Sequence, residues 1–142
     1  MNPEFWNVLH DGFITGVSGS VPGDVQLGVE IDYLRQRFAD PGDRIVLTLH
    51  GCTALSYHPF DEVPVTDFTV LAQAKPQILR AKDWTDASLV ECAAGDLRIT
   101  ATGAALALDN GRPLSLEELG ATAGAYWAEW SERSAKANPS GR

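Results

Sequence analysis

The chain has 142 residues, 44% of them hydrophobic, and nineteen acids against eleven bases leave a net charge of −8. That length fits one domain and leaves little room for a second, and the apolar fraction sets the chain apart from disordered sequences. Such acidity argues against nucleic acid or an anionic membrane surface as partner, because both need a basic face.

The elements follow in chain order. Asn2-Pro3-Glu4 has the chemistry of a helix start, an N-cap residue followed by Pro and an acid, and Gly12 is placed to end this short helix. Phe13–Ser18 reads as a strand weakened by Gly16, and Pro22-Gly23 fits the centre of a type II turn. Val25, Leu27, Val29 and Ile31 alternate with Gln26, Gly28, Glu30 and Asp32, the pattern of a half-buried strand. Tyr33–Phe38 fits either more strand or one turn of helix. Asp40-Pro41-Gly42-Asp43 is a second turn, after which Ile45, Leu47 and Leu49 resume the alternation, with a bend expected at Gly51. Residues 66–74 read as a strand stopped by Pro76, and residues 77–82 as an edge strand flanked by Lys75 and Lys82. Leu89–Ala93 and Leu97–Ala101 are strands about a turn at Gly95-Asp96. The apolar phase then moves by one residue at Gly103, as a β-bulge would move it.

Ser115 and Glu118 have capping-box spacing, and Leu116, Leu119, Ala123, Tyr126, Trp127 and Trp130 then recur at helical steps. The aromatic stripe is read as core, with a binding face or a homodimer seam as the other uses of such a surface. The fold expected is α+β: an antiparallel sheet of about six to seven strands, open or partly closed into a roll, packed by a long C-terminal helix, with a short N-terminal helix. Residues 1–137 are expected to form the domain and residues 138–142 a disordered tail.

The N-terminus shows no secretory signal, no apolar run approaches the length of a membrane span, and Cys52 and Cys92 form no spacing motif, so a cytoplasmic protein with two reduced thiols is expected. Phosphate-binding glycine motifs are absent, and Gly16-Val17-Ser18-Gly19-Ser20 fails the nucleophile-elbow pattern at its last position. No cofactor is implied. If one strand parity runs through residues 50–58, His50, Cys52 and His58 share a face, and with His10 nearby they compose a transition-metal or Cys–His catalytic site. The simpler reading makes them polar residues on a wet face.

Charge is unevenly spread. Residues 1–71 hold ten acids and three bases, a balance of −7, whereas residues 72–142 hold nine acids and eight bases, a balance of −1. An acidic half with Glu30 and Asp32 on its strand suits a basic partner protein. Trp6 followed by Leu9-His10-Asp11-Gly12 ahead of a β-hairpin resembles small bacterial immunity-protein families of polymorphic toxin systems. The resemblance implies a non-catalytic inhibitor that occludes a cationic toxin. The residues marked for binding are therefore Trp6, His10, Asp11, Glu30, Asp32, His50 and His58. Three functions compete: this protein-binding module, the metal-dependent or Cys–His enzyme at His10, His50, Cys52 and His58, and a homo-oligomeric accessory protein built on the C-terminal helix.

Overall fold

The computed structural model describes residues 2–84 and 87–137, so the tail expectation lies outside the described residues. Nine strands and four helices follow in the order α1 (Glu4–Asn7), β1 (Phe13–Gly19), β2 (Gly23–Glu30), α2 (Asp32–Arg35), β3 (Arg44–Cys52), β4 (Ala54–Pro59), α3 (Phe68–Ala74), β5 (Ile78–Trp84), β6 (Ala87–Cys92), β7 (Gly95–Thr100), β8 (Gly103–Leu108), β9 (Pro113–Leu114) and α4 (Leu116–Ala137). The α+β class, the antiparallel pairing and the two terminal helices are as the sequence suggests.

The strands divide into two sheets, ordered β1-β2-β3-β8-β9 and β4-β7-β6-β5, where a single sheet was expected. The chain changes sheet at two places, Thr53 and residues 101–102. These crossings pair with each other: Thr53 N–H donates to Thr100 O at 2.8 Å and Thr102 N–H to His50 O at 2.9 Å. The phase change at Gly103 is thus the passage from one sheet to the other, and the expected bulge is replaced by that corner. Gly51 makes the matching corner with φ 57°, and a Cβ there would lie 2.7 Å from the Thr102 hydroxyl.

Alternation places Val25, Leu27, Val29, Ile45, Leu47 and Leu49 in one buried cluster with Leu55, Tyr57, Val90, Leu97 and Ile99 of the other sheet. The turn at Pro22-Gly23 differs from type II, because Gly23 sits at φ 140° and already opens β2. Residues 66–74 are not a strand. Asp67 caps α3 by accepting Val70 N–H at 3.0 Å, Leu71 is buried, and Lys75 ends the helix in the left-handed region at φ 48°. Residues 33–38 resolve into α2 and the turn after it.

Strand β5 is an edge strand, but the N-terminal segment covers its outer side. Asn7 Oδ1 accepts Ala81 N–H at 2.8 Å, Asp11 N–H donates to Ile78 O at 2.8 Å, and Ile78 N–H donates to Gly12 O at 2.8 Å. An otherwise open row of backbone groups is satisfied in this way. Asp11, with φ 70°, makes the left-handed step that Gly12 was expected to make.

The opening of α4 follows its capping box, Ser115 Oγ accepting Glu118 N–H at 2.9 Å. Leu119 is buried, with Leu116 and Ala123 half-buried beside it. Beyond them the helix leans on α2 rather than crossing a sheet face. The aromatic stripe is therefore no core: Trp127 is 38% exposed and Trp130 49%. Among the described residues no helix is long and apolar enough to cross a membrane.

Candidate functional site

Three of the residues marked from sequence meet at one place, together with an aromatic that was passed over. Strand β2 ends at Glu30, the chain turns at Ile31, and α2 begins with Asp32 and Tyr33. Ile31 and Leu34 are fully packed, which leaves Asp32 and Tyr33 on the outer side of this short helix. Asp11 and Phe13, from the segment that caps β5, close the other wall. The result is a cavity of about 440 Å³ lined by Asp11, Phe13, Glu30, Ile31, Asp32 and Tyr33. Three carboxylates and two aromatic rings face it, and among the described residues no cationic side chain is in its lining. Glu30 Oε1 lies 3.8 Å from Arg44 Nε, which is itself 3.9 Å from Asp43.

Tyr33 is the hinge of this surface. Its O–H donates to His10 O at 2.6 Å. Burial, reinforced by the negative charge of Asp11, pushes its phenol up to about 12. Its ring centroid lies 4.6 Å from that of Tyr126 and 5.5 Å from that of Trp127, and Trp127 continues edge-on to Trp130 at 6.1 Å. An aromatic wall thus runs from the acidic cavity onto the exposed half of α4. Arg37 pairs with Glu129 and lies 5.5 Å over the Tyr126 ring, which ties α2 to α4. The hydrogen bond from Arg37 also holds the Glu129 carboxyl below its ordinary range.

The other marked residues lie elsewhere. Trp6 is fully buried and is not available to a partner. Leu9 is equally buried, and a Cβ on Gly12 would come within 2.6 Å of Val29, so most of the Trp6 to Gly12 motif serves packing. His10 bridges: Nδ1 donates to Leu79 O at 2.6 Å, which fixes β5, while Nε2 points to the Asp11 carboxylate at 3.4 Å. His50 stands at the far end of β3, 3.3 Å from Asp24, whose other oxygen accepts Gly51 N–H at 3.0 Å. His58 on β4 bonds to Ser56 at 2.8 Å.

The single parity expected through residues 50–58 is broken by the corner at Gly51. His50 faces solvent, whereas Cys52 is 0% exposed with its thiol pushed up by burial. His10, His50, Cys52 and His58 therefore have four separate sets of partners and compose no Cys–His site. Among the described residues no three His, Cys, Asp or Glu side chains come together to hold a metal. The exposed Trp127–Trp130 pair was visible in sequence as a stripe. What the stripe could not reveal was its continuation through Tyr33 into the acidic cavity, because the 126-to-33 contact joins segments far apart in the chain.

No protein-family model, no curated protein and no solved structure matches this chain.

Proposed function

We propose that the protein is a protein-binding module whose partner presents a basic segment with an apolar flank. The observation that carries this reading is a wall of half-buried Tyr33 and exposed Trp127 and Trp130 opening from a cavity lined by Asp11, Glu30 and Asp32. Exposed Trp and Tyr side chains are the residue types that anchor interfaces, since they bury much area with little loss of rotamer freedom. Carboxylates beside them attract a Lys or Arg side chain, which an aromatic face also receives favourably. The acidic N-terminal half extends the same field and steers a cationic partner toward it.

The sharpest form is an immunity-like inhibitor occluding a cationic toxin, a form to which the Leu9-His10-Asp11-Gly12 resemblance lends support. The test is calorimetric titration against a basic protein encoded beside this one. Raising salt from about 0.1 M to about 1 M shortens the screening length from about 10 Å to about 3 Å and should weaken the complex steeply. Asp32→Asn combined with Trp127→Ala should weaken it at least about tenfold, the equivalent of roughly 1.4 kcal/mol. Binding of unchanged strength in that variant sinks the assignment of the surface. Light scattering adds one further outcome: a dimer that dissociates on Trp130→Ala would give this face to a second copy of the chain.

A further inference from the structure

The outer face of the second sheet carries a different chemistry, unrelated to the binding surface. Ser56 and His58 are two residues apart on β4, so their side chains stand on one face of the strand. Ser56 Oγ is 2.8 Å from His58 Nε2. Strand β7 runs antiparallel beside them, with Arg98 directly opposite Ser56 and Asp96 directly opposite His58. Residues so paired project to the same side. Ser56 also forms part of the wall of a groove of about 480 Å³, lined by Ser20, Val21, Ala54, Leu55, Thr66 and Phe68 as well.

We infer that Ser56 is a nucleophile activated by His58, and that the groove receives the short acyl chain of a small carboxylic ester. Ser56 Oγ would bond to the ester carbonyl carbon while its proton passes to His58 Nε2. The C–O bond to the alcohol then breaks, and the alcohol leaves with that proton. Water, deprotonated by His58 in turn, attacks the acyl-serine; the acid is released and Ser56 regains its proton. Nucleophile and base are already within the reach that this transfer needs. Burial, with the Arg98 charge adding, holds the imidazole below its ordinary value against the opposing pull of Asp96, so His58 is a neutral base at pH 7. Register sets Arg98 beside Ser56 and Asp96 beside His58, so a cationic residue neighbours the attacking oxygen and a carboxylate neighbours the base. Cys52, the nucleophile suggested by the sequence, is shut in the core, and this serine takes its place on the open face of the next strand.

The experiment incubates the full chain with an alkyl fluorophosphonate and reads the adduct by intact mass and peptide mapping. The reagent forms an O–P bond to the attacking serine and expels fluoride. One adduct, on Ser56, is expected, with none in Ser56→Ala and labelling about 100-fold slower in His58→Gln, the lower end of general-base contributions. Absence of an adduct on Ser56 in the wild-type protein overturns the inference. So does labelling of a His58→Gln protein at the wild-type rate. Hydrolysis of p-nitrophenyl butyrate should be lost in Ser56→Ala and retained in Glu117→Gln, a substitution at an exposed position outside both sites.

Discussion

Replacing Asp109 tests how the acidic cavity's supporting frame is held. The Arg35 side chain is 3% exposed and donates to Arg44 O at 3.1 Å, Asp40 O at 3.0 Å, Pro41 O at 2.9 Å and Asp109 Oδ1 at 2.9 Å. The second oxygen of Asp109 accepts Asp43 N–H at 2.8 Å and Arg44 N–H at 3.0 Å. One carboxylate thus joins the end of β8, the start of β3 and the helix that carries Asp32 and Tyr33. Burial alone would raise its pKa, but the Asp43 N–H, the Arg35 guanidinium and the Arg44 N–H outweigh it and bring the carboxyl down to about 2 from 3.8. A difference of nearly two units corresponds to about 2 kcal/mol. Because the folded-state value is the depressed one, this stabilisation is complete above about pH 4 and is lost as pH falls through about 2.

Asp109→Ala also leaves a buried guanidinium without its counter-charge, so it should cost about 3 kcal/mol at pH 7 and lower Tm by roughly 9 °C. Asp109→Asn keeps one acceptor and should cost about 2 kcal/mol. Urea unfolding followed by tryptophan fluorescence measures both. The decisive quantity is the wild-type minus Asp109→Asn difference, in which other titrating carboxylates such as Asp40 and Glu91 cancel. It should hold constant between about pH 7 and 5 and shrink as pH falls from about 4 toward 2. Equal stability of the two proteins at pH 7, or a difference that stays the same down to pH 2, would refute the argument.

Three smaller outcomes follow from the same structure. Asp67→Ala removes the acceptor of Val70 N–H and should lower unfolding free energy by about 1 kcal/mol in the same assay. Cys52 and Cys92 are both buried, the latter with its thiol pushed up to about 12 chiefly by burial. An aromatic disulfide reagent at pH 8 should therefore leave the native protein unmodified and titrate two thiols in denaturant; fast native reaction would reopen the Cys–His alternative. Trp130→Ala, at a side chain half in solvent, should change unfolding free energy by no more than about 0.5 kcal/mol. A large loss would mean that this face is core after all.

Much of the fold was legible because alternation reports burial directly. Residues 25–31, 45–49 and 97–100 show it, and the Ser115–Glu118 capping box marks the start of α4 to the residue. What failed depended on contacts between distant segments. Val65, Thr66, Phe68 and Val70 have the composition of a strand, yet Asp67 caps a helix there and Leu71 packs under it. The bend at Gly51 and the phase change at Gly103 were visible, but only the Thr102–His50 pairing explains them as matched corners between two sheets. That same corner removed Cys52 from the face of His50, and with it the catalytic set drawn from parity. On α4, periodicity marks an apolar stripe without saying what covers it. The helix runs past its last buried contact near Ala123, so Trp127 and Trp130 emerge into solvent. Glu30 and Asp32 were marked for charge and Asp11 for its place in the Leu9-His10-Asp11-Gly12 motif; Tyr33 was missed because its segment fitted strand and helix equally.

The binding reading is tested most directly by an NMR titration of the ¹⁵N-labelled protein with an oligo-arginine peptide. The indole N–H signals of the four tryptophans are followed, with buried Trp6 as an internal reference. The account predicts saturable shifts of the Trp127 and Trp130 indoles and of the amides at Asp11, Glu30, Asp32 and Tyr33. These shifts should fade at high salt and be lost in Asp32→Asn, with Trp6 unmoved. Absence of shifts at Trp127 and Tyr33, or equal shifts spread over the whole acidic surface, would contradict it.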